Sequence, residues 1–374
     1  MQDSRKVILH MIGTTGPVGA ETVLLNTVSR LDQAEFESIV LLTGVGWLHD
    51  SMKALGVTPV IAMTSGTFDW RFLREIIRTI HSREINLVHV HQPDISTYAC
   101  LAGLFTRIPV VVTFHGMVST WTARSRRNRF KMAVIRRRAK RIITVSDHLR
   151  NELVQSWSFL PEQITRIYNG VDFDLFDRTT GSNTLRAEFG IPPTATLIGA
   201  VGNLRKPKGY EYLLNAARTV IDATDDTYFL IAGEGHGALL DDLNALRGSL
   251  GLNERVIIAG FREDIPQLLR QFDIFTLSST TEGLSISTIE AMGLGKPVVV
   301  TDSGGPAEIV KDGKTGLLVS PRDADALARG LLRLITDREL AETLGMAAKS
   351  EVRGRFNLEH NVRSYAELYR ACLE

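Results

Sequence analysis

Residues 6–21 read KVILHMIGTTGPVGAE and carry the pattern that decides the fold. An apolar, β-branched run, Lys6–Ile12, meets a glycine-rich turn, and a helix-period segment then continues from Ala20 to Leu31. The run lacks the alternation of apolar and polar residues that a strand with one solvated face shows. It therefore predicts a strand buried on both faces. A buried strand, a tight turn and a helix form the repeating element of a parallel α/β sheet.

The same pattern recurs along the whole chain. In the first half the predicted strands are Lys6–Ile12, Ser38–Thr43, Pro59–Met63, Leu87–His91, Val110–Phe114 and Arg141–Val145. In the second half they are Thr196–Val201, Tyr228–Ala232, Arg255–Ala259, Ile274–Leu277, Pro297–Thr301 and Gly316–Val319. Two βαβ series of about six strands each predict an α/β fold with two doubly wound, Rossmann-like domains facing across a cleft. Ligands of such sheets bind outside the carboxyl ends of the strands, so the cleft is the expected site.

The segment Asn169–Pro193 interrupts the pattern, because Asn-Gly, several Asp residues, Gly-Ser-Asn and Pro-Pro cluster there. We therefore predict an N-terminal domain over residues 1–170, a linker over 171–193 and a C-terminal domain over 194–350. Residues 351–374 are expected to form a C-terminal helix that packs back on the N-terminal domain.

The composition is that of an ordinary soluble globular protein, with 44% hydrophobic and 23% charged residues among 374. The net charge of +1 excludes an overall field for nucleic acid. Two cysteines, Cys100 and Cys372, are too few for a disulfide framework or a zinc site, and a reduced compartment is the default. No signal peptide and no apolar stretch of about 20 residues is found, so we expect a cytoplasmic protein.

The glycine-rich turn after the first strand is the first candidate for ligand binding. Gly13-Thr-Thr-Gly16-Pro-Val-Gly19 opens a helix whose free N–H groups attract anions, so the turn is suited to a diphosphate. It is neither a GxGxxG fingerprint nor a P-loop. A tight strand-to-helix turn without a ligand is the alternative.

A basic loop follows the first strand of the second half. Gly202-Asn-Leu-Arg205-Lys-Pro-Lys208-Gly209 places cations at the carboxyl end of that strand. Arg offers a planar fork and Lys a point charge, and both suit phosphate oxygens. The alternative is a solvated basic loop.

Two glutamates, Glu282 and Glu290, lie at the start of a predicted helix and within it. The helix begins near Ser285, and a carboxylate at a helix entrance is favoured by the helix dipole. Carboxylates at this spacing can hold hydroxyl groups of a sugar nucleotide, with helix N–H groups between them for phosphate. Alternatively, Glu282 caps the helix and Glu290 lies on its surface.

Taken together, these motifs resemble the GT-B retaining glycosyltransferases of the large glycosyltransferase group 4, which contain the group 1 transferase domain. The resemblance runs over nearly the whole chain. It rests on Val18-Gly-Ala-Glu21, Thr113-Phe-His115-Gly116, Val145-Ser146, Asn169-Gly-Val-Asp172, Gly202…Lys208-Gly209, Gly233-Glu-Gly235, Glu282-x7-Glu290 and Gly304-Gly305-Pro-Ala-Glu308.

The resemblance implies that Arg205 and Lys208 neutralise the diphosphate of a nucleotide-sugar donor bound to the C-terminal domain. Where the family commonly has the Arg of a Gly-Arg-Leu pattern, this chain has Asn203, which we place among the donor-binding residues. Arg205, two residues later, is expected to supply the guanidinium with a slightly different reach.

The resemblance also implies that Glu282 holds donor-sugar hydroxyls and that Glu290 binds the nucleotide ribose. The backbone N–H groups expected to meet sugar and phosphate oxygens are those of Gly283, Leu284 and Ser285.

In the first domain, His115 matches the family histidine that faces the donor sugar near the bond that breaks. The loop from Gly16 to Gly19 is expected to close on the diphosphate, although Val18-Gly19 replaces the family's commonest glycine pair. The base is expected near the loops that hold Gly235 and Arg262.

No metal and no other cofactor is predicted. Asp172-Phe-Asp174 is formally a D-x-D motif, but it follows Asn-Gly-Val at the domain seam, so we interpret it as hinge structure. His89 and His91 point the same way on one strand, yet no third ligand has a recognisable spacing. We expect His91 to line the cleft. No recognised carboxylate is placed as a nucleophile, and the family retains the anomeric configuration, which favours front-side attack.

Ten of the eighteen residues in Arg124–Arg141 are Arg or Lys, with Phe130, Met132, Val134 and Ile135 among them and Met117, Val118 and Trp121 just upstream. The segment belongs to the first domain, the acceptor side in this family. An anionic membrane surface attracts such clusters, and apolar residues among them can enter the interface. The alternative is a solvated basic helix that packs its apolar residues on the sheet; nucleic acid is excluded for want of a binding fold.

The sequence thus predicts a retaining transferase that moves a sugar, from a UDP-sugar by preference, to a hydroxyl acceptor. The acceptor is expected to be a lipid-linked glycan or glycolipid of the cell envelope or an exopolysaccharide, at the inner face of the membrane. The alternatives are a nucleotide-sugar 2-epimerase of similar fold and a non-catalytic two-domain ligand-binding protein.

Overall fold

The computed structural model describes residues 5–66, 68–116, 125–179 and 184–374. The chain forms two compact units: Met1–Gly170 together with Leu358–Glu374, and Val171–Asn357. Each unit contains one parallel sheet with helices between successive strands, so the predicted α/β class with two doubly wound sheets is confirmed.

The first unit has a sheet of seven parallel strands in the order β3-β2-β1-β4-β5-β6-β7. They are β1 (Lys6–Ile12), β2 (Phe36–Leu42), β3 (Val60–Ile61), β4 (Leu87–Val90), β5 (Val110–Phe114), β6 (Arg141–Thr144) and β7 (Ile164–Arg166). The strand order changes direction between β1 and β4, and a crevice forms at such a reversal. The loops after these two strands therefore lie at the crevice.

The strand β7 has no counterpart among the sequence-based predictions. It contains three residues, and two of them, Thr165 and Arg166, are exposed. An edge strand this short has neither a buried run nor an alternating pattern, so periodicity does not reveal it.

Six helices of the first unit follow the strands. They are α1 (Gly19–Arg30), α2 (Trp47–Ala54), α3 (Trp70–Ser82), α4 (Pro93–Thr106), α5 (Arg126–Arg138) and α6 (Asp147–Trp157). The helix α3 shows why these segments are helical. Asp69 caps it by accepting hydrogen bonds from the backbone of Arg71 and Phe72, and its buried residues, such as Phe72, Ile76 and Ile80, recur at helical spacing.

The second unit has six parallel strands in the order β10-β9-β8-β11-β12-β13, the strand order of a dinucleotide-binding fold. They are β8 (Thr196–Val201), β9 (Thr227–Ala232), β10 (Val256–Gly260), β11 (Ile274–Leu277), β12 (Val298–Thr301) and β13 (Leu317–Val319). Here the order reverses between β8 and β11. This places the basic loop and the Glu282 loop next to each other at the carboxyl edge.

The helices of the second unit range from 4 residues in α13 to 18 residues in α15. They are α7 (Phe173–Arg178), α8 (Thr184–Glu188), α9 (Tyr210–Asp222), α10 (Ala238–Ser249), α11 (Ile265–Gln271), α12 (Ile286–Gly293), α13 (Pro306–Ile309), α14 (Ala324–Thr336) and α15 (Arg338–Arg355).

The C-terminal helix α16 (Leu358–Leu373) belongs to the first unit. Its buried side chains, among them Val362, Tyr365 and Tyr369, form one apolar cluster with residues of β1, β4 and β5 such as Ile8 and Leu87. The Asn361 side chain donates a hydrogen bond to the carbonyl of Tyr168 at 2.5 Å. Burial of this face fixes α16 against the sheet of the first unit. None of the described helices is long and apolar enough to cross a bilayer.

Candidate active site

The basic loop after β8 is built around one contact between Lys208 and Glu282. A short 3₁₀ helix, Lys206–Lys208, ends at Gly209 in the left-handed conformation, with φ 62°. Lys208 Nζ lies 2.6 Å from Glu282 Oε2, and the two side chains are 22% and 16% exposed. Arg205 is exposed, and within the described part of the chain its side chain has no hydrogen bond or ion pair. The loop therefore presents one anchored cation, Lys208, and two exposed cations, Arg205 and Lys206.

Side-chain hydrogen bonds close this loop on itself and join it and the end of β8 to the segments after β11. The Tyr210 hydroxyl donates to the Gly202 carbonyl at 2.5 Å, and the Ser278 hydroxyl donates to the Lys208 carbonyl at 2.9 Å. Ser287, on α12, donates to the Val201 carbonyl at 2.9 Å. These bonds hold the ends of β8 and β11 in one geometry.

Glu282 is fixed through its backbone as well as its side chain. Its N–H donates to the Ser303 carbonyl at 2.9 Å, and its carbonyl accepts from Gly305 at 2.9 Å. The Ser279 hydroxyl donates to Glu282 Oε2 at 3.2 Å. A Cβ at Gly305 would lie 2.0 Å from the Gly283 carbonyl oxygen, so only glycine permits this approach. The carboxylate is therefore pre-positioned beside Lys208.

The helix α12 begins directly after this loop. Ser285 caps it by accepting a hydrogen bond from the Thr288 N–H, and Gly283 and Leu284 precede the cap. Glu290 lies one turn further along the helix and is half-buried. Burial raises the pKa of the Glu290 carboxyl to about 7. The raised pKa favours the protonated carboxyl, which can donate a hydrogen bond to a ligand hydroxyl as well as accept one.

The loop after β9 packs directly on the basic loop. The Leu204 N–H donates to the Glu234 carbonyl at 2.7 Å. A Cβ at Gly233 would lie 2.0 Å from the Gly202 carbonyl oxygen, and one at Gly235 would lie 2.7 Å from the Leu204 Cβ. Asn203, between Gly202 and Leu204, thus lies where the two loops touch.

The side chain of Arg262 is committed to neighbouring carboxylates. It pairs with Asp264 at 2.6 Å and also with Glu188, and these hydrogen bonds raise its pKa. Phe261, just before it, is 43% exposed. Next to this loop, the phenyl ring is more accessible to a ligand than the guanidinium.

In the first unit, the glycine-rich loop leads into α1, which begins at Gly19. Its N-cap, Val18, gives no side-chain hydrogen bond to the first turn, and the Val18 N–H donates to the Gly16 carbonyl at 3.0 Å. The loop is fixed to α1, because the Thr14 hydroxyl donates a hydrogen bond to the buried carboxylate of Glu21 on that helix. The uncapped first turn directs its N–H groups away from the helix, as an anion site requires.

His115 follows the end of β5 and is half-buried, beside a layer of three fully buried histidines, His10, His89 and His91. Burial lowers the pKa of all four, to about 4 for His115, so the rings are neutral near pH 7. The His91 and His115 rings are stacked, with centroids 5.8 Å apart. Neither ring nitrogen of His115 has a hydrogen-bond partner among the described residues.

Three of these histidines also form the arrangement nearest to a metal site in the described residues. One ring nitrogen from each of His10, His89 and His91 lies within 4.8 Å of the others. However, both nitrogens of His89 already have hydroxyl partners, Tyr369 at 2.5 Å and Thr113 at 2.7 Å. Sequence reasoning missed His10 because it is distant in sequence, although the β1–β4 register places it directly opposite His89.

The Asp172-Phe-Asp174 segment has a structural role. Asp172 caps α7 by accepting a hydrogen bond from the Leu175 N–H at 3.2 Å, and Asp174 pairs with Arg178 one turn later. These contacts are local, and the interpretation of the motif as hinge structure stays a prediction.

The basic segment forms α5 and corrects part of the membrane interpretation. Met132 and Ile135 are buried in the core of the first unit and Val134 packs against it, so these residues do not face a membrane. Phe130 is 67% exposed. Arg136 donates to the Ser158 carbonyl at 3.0 Å, and thus caps the end of α6. Of the other residues invoked, Met117, Val118, Trp121 and Arg124 lie outside the described residues.

Comparison with known proteins places these features in a family. Residues 181–351 match the model of glycosyl transferases group 1, and residues 17–175 match that of Glycosyltransferase Family 4. The UDP-Gal:alpha-D-GlcNAc-diphosphoundecaprenol alpha-1,3-galactosyltransferase of Escherichia coli is 25% identical over 363 residues, 94% of this chain and 93% of the relative. The lipopolysaccharide core biosynthesis mannosyltransferase LpcC of Rhizobium leguminosarum bv. viciae is 28% identical over 307 residues, 81% and 83% of the two chains.

Solved structures agree on the fold. HepE of Anabaena, crystallised in complex with UDP and glucose, superposes with a TM-score of 0.89 at 24% identity, over 98% of this chain and 100% of HepE. The two doubly wound sheets and the loops at their carboxyl edges define a GT-B glycosyltransferase that acts on nucleotide sugars. The chain belongs to the group 1 glycosyltransferases, which confirms the resemblance seen in its motifs.

Proposed function

We propose that this protein is a retaining, metal-independent glycosyltransferase that moves a hexose from a UDP-sugar to a hydroxyl group of a lipid-linked glycan or glycolipid. The observation that carries the proposal is the 2.6 Å contact between Lys208 Nζ and Glu282 Oε2. Two motifs 74 residues apart supply a cation and a carboxylate to one point. A sugar diphosphate needs both groups there, one for phosphate oxygens and one for sugar hydroxyls.

The donor roles follow from this arrangement. Lys208 and the exposed Arg205 neutralise the diphosphate, while the N–H groups of Gly283, Leu284 and Ser285 meet sugar and phosphate oxygens at the start of α12. Glu282 accepts hydrogen bonds from sugar hydroxyls, and Glu290 holds the ribose. The glycine loop from Gly16 to Gly19 adds uncapped N–H groups for the diphosphate.

The base of the nucleotide lies beside the loops that carry Gly235 and Arg262. Because the Arg262 guanidinium is held by Asp264 and Glu188, we assign the base contact to the backbone of this loop and to the exposed Phe261 ring. Asn203 is close to the sugar-phosphate, between the two packed loops.

The chemistry rests on stabilising the departing diphosphate. As the bond between the anomeric carbon and the phosphate oxygen breaks, negative charge grows on that oxygen, and preorganised cations and N–H groups stabilise it. The acceptor hydroxyl attacks the same face of the sugar, and its proton passes to the leaving phosphate oxygen, so the configuration is retained. His115, neutral near pH 7, contacts the donor sugar at the reacting bond.

The relatives support the substrate classes. The Escherichia coli enzyme is named for a UDP-galactose donor and a diphosphoundecaprenol-linked sugar, and the Rhizobium enzyme for lipopolysaccharide core biosynthesis. HepE was crystallised with UDP and glucose. These names favour a UDP-sugar and a lipid-linked acceptor at the inner face of the membrane, where the basic α5 can bind anionic lipid.

The decisive experiment measures nucleotide release from UDP-, GDP- and ADP-sugars, with and without extracts containing lipid-linked oligosaccharides. We expect release of UDP that increases with acceptor and persists in EDTA. A 2-epimerase would isomerise the sugar without a glycosylated acceptor, and a binding protein would be stabilised by the nucleotide without turnover. Activity lost in EDTA and restored by Mg²⁺ would contradict the metal-independent mechanism, and an inverted product linkage would contradict retention.

A further inference from the structure

The layer of buried histidines in the first unit is built from adjacent strands. In the register of β1 and β4, His10 lies opposite His89, and His91 is two residues further along the same strand. Ring centroids of His89 and His91 are 4.0 Å apart, and His10 lies 5.7 Å from each. All three side chains are fully buried. Burying three neutral imidazoles together costs desolvation without forming a charge pair, so their presence calls for a specific role.

Two separate contacts connect this layer to His115. The first is direct, because the His91 ring stacks on the His115 ring with an angle of 17° between their planes. The second contact is indirect: it reaches Thr113 through hydrogen bonds and then His115 along the backbone of β5. The Tyr369 hydroxyl, on α16, bonds to His89 Nδ1 at 2.5 Å, and His89 Nε2 bonds to Thr113 at 2.7 Å. Thr113 lies in β5, two residues before His115, so this bond anchors the strand that leads to His115.

His115 itself has no polar contact that would set its orientation. Both of its ring nitrogens, and Nδ1 of His91, are buried without a hydrogen-bond partner among the residues that the structure describes. Its ring plane is therefore determined by packing, and the parallel ring of His91 is the packing partner. His91 is in turn held by His10, whose Nδ1 lies 3.4 Å from His91 Nε2.

We propose that His91 and the Tyr369–His89–Thr113 chain are positioning elements for His115, which keep its imidazole in the orientation that meets the reacting sugar. The inference rests on the proposed role of His115. Its consequence is that Tyr369 of the C-terminal helix, 254 residues from His115 in sequence, contributes to catalysis through its hydroxyl.

The test compares kcat and donor KM for His91→Phe, His91→Ala and Tyr369→Phe, each alone and combined with His115→Ala. A displaced catalytic group costs up to about 10²-fold in rate. We expect kcat to fall about 10-fold or more in His91→Ala and less in His91→Phe, which keeps a ring in the stack. Donor KM should stay within about 2-fold, since uniform binding is untouched.

The matched control is Tyr98→Phe. It also removes one buried tyrosine hydroxyl from the first unit, the one that accepts from the Asp69 N–H at 2.8 Å. Thermal melts of both Tyr variants should show similar losses of stability. Only Tyr369→Phe should lower kcat.

Coupling separates positioning from a general structural effect. In the His115→Ala background, the His91 and Tyr369 substitutions should cause no further loss of kcat, because the group they position is gone. The positioning role would be overturned if each double variant lost kcat by the product of the two single losses. It would also be overturned if folded His91→Ala and His91→Phe had normal kcat. Either result would leave the proposed role of His115 itself intact. Normal kcat in His115→Ala would remove both the proposed role of His115 and the inference built on it.

Discussion

The two units have the same reversal in strand order, yet the residues at their carboxyl edges differ in kind. In the second unit the edge carries charge, with Lys208 paired to Glu282 and Arg205 exposed beside them. In the first unit, the first turn of α1 has N–H groups without a side-chain cap. The imidazoles next to His115 are buried and neutral, and His115 is neutral as well. Under the proposed function, the second unit supplies cations for the leaving group, and the first unit supplies neutral N–H groups and imidazoles.

The largest effect is expected at the charged edge. Lys208→Ala should lower kcat by about 10²–10³-fold, the loss found when one preorganised stabiliser of developing charge is removed. Glu282→Gln should also lower kcat, because it removes the carboxylate that holds Lys208 and is proposed to hold the sugar hydroxyls. Lys206→Ala is the matched control, since Lys206 is an exposed cation of the same loop. Steady-state kinetics with the preferred nucleotide sugar measure both. If Lys206→Ala were as inactive as Lys208→Ala, the loop would act through its total charge and the specific pair would lose its importance.

The neutral region should respond differently. His115→Ala is expected to lower kcat by up to about 10²-fold with little change in donor KM, because a group that acts mainly in the transition state leaves ground-state binding intact. Lys208→Ala should weaken UDP binding as well, measured by calorimetry. If His115→Ala raised the donor KM and left kcat normal, His115 would be a donor-binding residue, like Lys208 in the second unit.

The same contrast explains which parts of the site can be predicted from the sequence and which cannot. The charged edge is encoded in contiguous motifs, so Lys208 and Glu282 were predicted, and the strand runs predicted both sheets apart from β7. The histidine layer depends on the register between β1 and β4 and on Tyr369 from α16, and such contacts have no local signal. The commitment of Arg262 to Glu188 and Asp264, and the burial of Met132 and Ile135, likewise depend on tertiary neighbours.

Glu290 allows a pH test within the charged unit. Because its pKa is raised to about 7 in the folded protein, the native state binds more protons than the unfolded state between its usual pKa and about 7. Its contribution to stability is therefore present at low pH and is lost as the pH rises through about 7. Glu290→Gln should remove this pH-dependent contribution. The melting temperature of the variant should therefore rise relative to that of the wild type as the pH goes from 5 to 8.

Thermal melts across that pH range make the comparison, with Glu282→Gln as the control carboxylate in the same motif. A constant difference between Glu290→Gln and wild type at every pH would show that Glu290 ionises normally. Its role at the ribose would then be that of an ordinary carboxylate.

The last prediction concerns the solvent-exposed side of α5 in the first unit, which does carry cations. Arg126, Arg127 and Arg129 are exposed near the start of α5, beside the exposed Phe130 ring. Each basic residue close to an anionic bilayer contributes about 1 kcal/mol, so replacing the three by Gln should reduce co-sedimentation with anionic liposomes at low salt. Phe130→Ala should reduce it further by a few-fold, since one ring enters the interface.

The control replaces Arg329, Arg333 and Arg338, three exposed arginines of the second unit, by Gln with the same loss of charge. If the control lost as much binding, the attraction would be a property of net charge and α5 would be a solvated helix. If the wild type stayed in the supernatant, a soluble acceptor would replace the lipid-linked one.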